Sequence, residues 1–101
     1  MKVYVVITQY MGGIQDEAVF FSIDNAQQYL AIRNSDGSPE VIEEHVRGDM
    51  ELPNTVYSAS WHDKSSDMHH YKGLYGTFED AVKAAGNQGL VLRRVIDEKL
   101  G

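Results

Sequence analysis

The chain has 101 residues, 43% of them hydrophobic and 24% charged, a composition that argues against disorder over most of its length. A net charge of −6, only nine Lys and Arg, and no cysteine exclude disulfide and thiolate chemistry and disfavour nucleic acid as a partner. The length fits one domain, 1–101, which can bury roughly 60–65% of its unfolded surface.

The opening "MKVYVVIT" carries one lysine and an apolar run too short for a signal peptide, and no stretch reaches the roughly 20 apolar residues of a membrane span. The reading is a soluble, cytoplasmic protein with no membrane partner. "KVYVVITQ" alternates and is rich in β-branched residues, so it reads as a strand. "MGGIQD" carries a turn signal and "EAVFF" returns as the second strand of a hairpin. Gly12-Gly13 lacks the Lys and Ser/Thr of a phosphate loop, and no helix begins there.

"SIDNAQQYLAIR" reads as a helix, with Ser22 as N-cap, Asp24 in the first turn, and Ile23, Ala26 and Leu30 on one face. "NSDGSP" ends it and "EVIEEHVR" is a third strand. Glu40, Glu43, Glu44, Asp49 and Glu51 read as a solvated acidic edge that discourages sheet-to-sheet aggregation, with a basic partner as the alternative. After the break "GDMELPN" the cadence starts again. "TVYSASWHD" is a strand, "KSSD" a turn and "HHYKGLYG" the returning strand. "TFEDAVKAAG" is a helix in which Thr77 and Asp80 have capping spacing, Phe78, Ala81, Val82 and Ala85 form the apolar face, and Gly86 is the C-terminal cap. "GLVLRRVID" is the last strand.

Val3-Tyr4 aligns with Val56-Tyr57, and Ser22-Ile23-Asp24 with Thr77-Phe78-Glu79. We therefore read an internally duplicated β-β-α-β unit, with repeat 1 at about 1–48 and repeat 2 at about 54–98. The fold class is α+β, with two helices on one face of a largely antiparallel sheet of about six strands; a ferredoxin-like arrangement is the alternative. Alternation puts Tyr57, Ala59 and Trp61 under the helices, and by equivalence Tyr4, Val6 and Thr8. That leaves Val3, Val5, Ile7, Val19 and Phe21 on a helix-free apolar face, a candidate interface for a second copy in a homodimer.

The segment "WHDKSSDMHHY" holds three of the four histidines and the only tryptophan. With Trp61 opposite Tyr71, His62 faces His70 and Asp63 faces His69, so His62, Asp63, His69 and His70 are candidate metal ligands. The spacing matches no common zinc motif, and the favoured reading is a solvated turn above packed aromatics, with no cofactor. A histidine could also act as general base for Ser58, Ser60, Ser65 or Ser66, but no nucleophile motif surrounds them, and no catalytic residue is assigned.

Arg93 and Arg94 point to opposite faces of the last strand: one is expected to pair with an acidic neighbour, leaving the other for an anionic ligand. Tyr10, Trp61, Tyr71 and Tyr75 serve either the core or a ligand cleft, the core being favoured. Trp61, Tyr71, Arg93 and Arg94 are thus the candidate small-ligand residues. Three functions follow, none of them enzymatic. The first is a protein-protein interaction protein, homodimeric through the open sheet face. The second is a binder of a small anion between repeats or subunits. The third is an acidic phage or mobile-element inhibitor of another macromolecule.

Overall fold

The computed structural model describes residues 1–10, 13–33, 38–87 and 89–100. Met11 and Gly12, four residues of "NSDGSP" and the Tyr10 side chain lie outside the described residues. In chain order the elements are β1 (Lys2–Tyr10), β2 (Gly13–Phe20), α1 (Ile23–Ile32), β3 (Ser38–His45), β4 (Thr55–Asp63), β5 (Met68–Tyr75), α2 (Phe78–Ala85) and β6 (Gly89–Val95), followed by a 3-10 turn at Glu98–Leu100. The sheet has six strands in the order β3-β1-β2-β5-β4-β6, a mixed but mostly antiparallel α+β arrangement rather than a ferredoxin-like one. No helix among the described residues is long and apolar enough to cross a membrane.

Local chemistry accounts for the helices. Ser22 and Thr77 are extended N-caps whose side chains accept from the Asn25 and Asp80 backbone N–H groups. Gly86, at φ 76°, closes α2 in a backbone region that favours glycine. The packed faces are narrower than the sequence pattern predicts. Ala26, Tyr29 and Leu30 seat α1 on Val6, Ala18 and Phe20, while Ile23 is exposed. Ala81 and Ala85 seat α2 on Ala59, beside Tyr57 and Val91, while Phe78 and Val82 stay exposed. The buried helix positions are alanines, Ala26 in α1 and Ala81 and Ala85 in α2.

The helix-free faces are not open. Val3, Val5 and Val19 are 0–2% exposed and join Val56, Leu74, Val46 and Ile96 in one cluster, with Ile7 packed against it. The face expected to await a partner is therefore covered by the second half of the same chain. Only Phe21 of the five candidate interface residues is exposed, at 42%, because it lies past the end of β2. The two three-stranded halves pack face to face, with both helices outside. β2 and β5 share a single parallel bridge, Gly13–His69. At the far ends each second strand bonds to the segment that follows the other half's last strand. Asp97 N donates to Val19 O (2.9 Å) and Arg47 N to Leu74 O (3.0 Å).

A charged contact crosses this interface. Asp16 on β2 accepts from Ser58 Oγ on β4 (2.7 Å) and from Arg94 Nε on β6 (2.8 Å), and its carbonyl accepts from Arg94 Nη2 (2.9 Å). The Asp16 side chain is 4% exposed. Arg94 is thus the paired arginine, its partner lying across the interface rather than on a neighbouring strand, and Arg93 is exposed.

A second cluster follows from a bulge between Val6 and Ile7, which leaves Glu17 without a pairing partner and turns it toward α1. Glu17 accepts from Thr8 Oγ1 (2.6 Å), Tyr29 OH (2.6 Å), Arg33 Nε (2.6 Å) and Arg33 Nη2 (2.9 Å). Burial opposes its ionisation, but the bonds from Thr8, Tyr29 and Arg33 outweigh burial and hold its carboxyl below the ordinary value.

Two stability outcomes follow. Asp16→Ala strands Arg94 and Ser58 in the interface and lowers unfolding free energy in urea by about 3 kcal/mol, near the lower end for breaking a buried pair; a loss within experimental error would refute this account. Glu17, with its depressed folded value, stabilises above its unfolded pKa of about 4.3, and the effect is lost as pH falls through the folded value. The stability gap between the wild type and Glu17→Gln therefore narrows between pH 6 and pH 3, and a constant gap in urea titrations would contradict it.

Candidate functional site

The β4–β5 hairpin adopts a register one residue away from the predicted one. A bulge between Ala59 and Ser60 leaves Lys72 unpaired, so Ser60 faces Tyr71, Trp61 faces His70, His62 faces His69 and Asp63 faces Met68. Because side chains alternate, the slip separates the two aromatics. Tyr71 turns inward against the central core, and Trp61 stacks on His70 (centroids 5.3 Å apart) with the Lys72 ammonium 5.8 Å from its ring.

The same slip brings His62 and His69 together, with rings stacked at 4.5 Å, but it does not gather four ligands. His62 Nε2 is 2.8 Å from Asp67 Oδ1. Asp63 accepts from Ser65 N (3.0 Å), Ser65 Oγ (2.7 Å) and Ser66 Oγ (2.9 Å), an Asx turn whose bonds hold its carboxyl below the ordinary range. Asp67 takes a left-handed conformation (φ 54°) to close the turn, which aspartate tolerates. Among the described residues no group of three His, Asp or Glu is placed to hold a metal ion. Asp63 and the two serines are turn residues here, as the favoured reading of the sequence had them.

Beneath this tip, at the crease where the halves meet, lies a cavity of about 400 Å³. Ile7 and Gln9 from β1 and Gly13 and Ile14 from β2 form one wall. Met68, His69, His70 and Tyr71 from β5 form the other. The cavity exists because β2 and β5 touch only at Gly13–His69 and then separate toward different neighbours. Gly13 is required at that contact: its φ is +113°, and a Cβ there would run into the His69 backbone. A more open hollow of about 290 Å³ lies on α2 between Phe78 and Val82.

Deeper in the crease, the Tyr71 hydroxyl is buried with no hydrogen-bond partner among the described residues. Burial, reinforced by the nearby Glu44 and Asp16 carboxylates, pushes its pKa up, so the phenol stays protonated. Burial likewise raises the pKa of Glu44, against the pull of Arg47 and His45.

Of the candidate ligand residues, Tyr71 lines the cavity, Trp61 stands behind His70, Arg94 is engaged by Asp16, and Arg93 lies on the exposed edge strand. Gln9, Ile14 and Met68 carry no sequence signal for a site; finding them needed the crease, and the crease needs the bulges. The chain matches no family model, no curated protein and no solved structure.

Proposed function

We propose that this protein is a non-enzymatic binder of a small molecule, held in the crease between its two halves. The cavity carries this reading: about 400 Å³, within the usual size range of ligand sites, with apolar walls and a few polar groups contributed by both halves. A duplication of one β-β-α-β unit accounts for its position. Both halves carry a bulge at matching places, after Val6 and after Ala59, and both make the same exchange of backbone bonds at their ends. The junction between two such units is where a shared pocket forms, and the side chains there have diverged: Asp16 and Tyr71 each stand beside a bulge, one charged and one phenolic.

The test is an NMR-detected screen of small amphipathic fragments against the 15N-labelled chain. Shifts should cluster on Gly13, Ile14, His69 and Tyr71, and Ile14→Trp, which fills the cavity from its rim, should abolish them without unfolding the protein. Scattered shifts, or a clustered set that survives Ile14→Trp, would remove the reading.

One observation favours self-association as a second property, by a route other than the sheet face first expected. β6 pairs only with β4 among the described residues, and on this edge strand Leu90 and Leu92 are 53% and 36% exposed. The opposite edge, β3, carries Pro39, Glu40 and Glu43, residues that discourage pairing. An antiparallel β6–β6 contact centred on Leu92 sets leucine against leucine and keeps the arginines from lying directly opposite one another. Sedimentation should show a dimer that Leu92→Lys converts to monomer; a wild-type monomer at 100 micromolar or above (on the order of typical weak-dimer concentrations) rules it out.

A further inference from the structure

The bulges of the two hairpins allow the halves to be matched position by position. Val3 and Val56 each lie three residues before a bulge, which follows Val6 and Ala59, and their partners on β3 and β6 are Glu44 and Arg94. Asp16 pairs with Ile7 and Tyr71 with Ser60, the first pairs past each bulge. On one side the matched groups complement each other, because Arg94 bonds Asp16. On the other side Glu44 stands where Arg94 does and Tyr71 where Asp16 does, and neither is satisfied. The Tyr71 hydroxyl is buried without a partner, and half-buried Glu44 has no hydrogen bond or ion pair among the described residues. We infer that the joint between β3 and β5 is a proton-responsive seam: it closes over a carboxylate that has no partner, and it tightens when Glu44 takes up a proton from water.

The fold places the carboxylate inside this joint. Glu44 shares a face of β3 with Ile42, which packs on the central core. Its Oε1 lies against Gly73 of β5, 3.4 Å from the place a Cβ would occupy. Just beyond it the joint is closed by backbone bonds, Arg47 N–H to Leu74 O (3.0 Å) and Gly76 N–H to Arg47 O (2.9 Å). The surrounding groups do not neutralise the charge. Val3, opposite on β1, is apolar, and Lys2 is bonded to Glu43. The Arg47 guanidinium donates to Tyr75 OH (3.0 Å) and lies over that ring. The Tyr71 phenol stays protonated, and the Asp16 carboxylate that acts on it from β2 is a like charge. Burial outweighs the pull of Arg47 and His45 and lifts the Glu44 carboxyl above its ordinary value. An ionised carboxylate without a bond costs more in the closed joint than in water, and a proton removes that cost. The stabilisation is therefore complete below the unfolded value of about 4.3 and is lost as pH rises through the folded value, opposite in sign to Glu17. The seam requires no ligand in the crease.

The experiment is a carboxyl-detected NMR titration of the full 13C-labelled chain, with urea unfolding and amide exchange followed across the same pH range. The Glu44 midpoint should lie above the ordinary glutamate value of about 4.3, and Arg47→Gln should raise it further. Glu44→Gln should have the higher urea midpoint at pH 8 and converge with the wild type as pH falls to 4. Exchange locates the effect. Corrected for intrinsic rates, the Arg47 N–H should gain about threefold or more in protection between pH 7 and pH 5 relative to the Asp97 N–H, its counterpart at the other joint. A midpoint at or below the ordinary value, a gap to Glu44→Gln that does not change with pH, or equal gains at both joints overturns the inference. Titration and exchange are read on the wild type, so they decide the matter even where Glu44→Gln fails to fold.

Discussion

The two helix-free faces bury each other, and the rest of the structure depends on that contact. Each half has three strands and one short helix, too little to bury both of its apolar surfaces alone. α1 covers one face of its half through Ala26, Tyr29 and Leu30, and α2 covers the other's through Ala81 and Ala85, leaving Val3, Val5 and Val19 on one side and Val56 and Leu74 on the other in need of cover. Bringing these faces together removes both surfaces from water at once. The contact also carries an ion pair in which the Asp16 side chain is bonded by Ser58 and Arg94, 42 and 78 residues away along the chain. A buried carboxylate tolerates few arrangements, so the pair fixes how one half sits on the other.

From this packing comes the crease. Two facing sheets that belong to one continuous strand order must bend sharply where they join, and here the bend is one bridge long. Gly13 permits the close approach, and the strands then diverge toward Asp97 and Arg47. The space left between them is lined by residues of β1, β2 and β5, of which Ile7 and Tyr71 also pack against the central core. Two of the hairpin's histidines, His69 and His70, are among the residues that line this cavity, whose opposite wall comes from β1 and β2.

Much of the secondary structure was legible because it rests on local rules. Alternation marked the strands, Ser22 and Thr77 marked the helix starts, and Gly86 marked a helix end. Alternation also assigned Tyr4, Val6, Tyr57 and Ala59 to the helix side correctly. The pairing register failed past the bulge of the second hairpin. A bulge inserts one residue in one strand only, and no residue near Ala59 or Lys72 announces it. Beyond that point every cross-strand partner moves by one, which exchanged Tyr71 for His70 opposite Trp61 and dissolved the expected four-ligand set.

The sequence by itself determined the strands, the helices, their caps and which side of each strand is apolar, because these depend on neighbours a few residues apart. It also determined that each half has an apolar face left over. Only the tertiary structure decided what covers that face, because the choice between a second copy and the other half depends on contacts such as Asp16–Arg94 between residues distant in the chain. The same long-range packing set the register of the histidines and opened the crease, so the candidate site belongs to the folded chain and to no single segment of it.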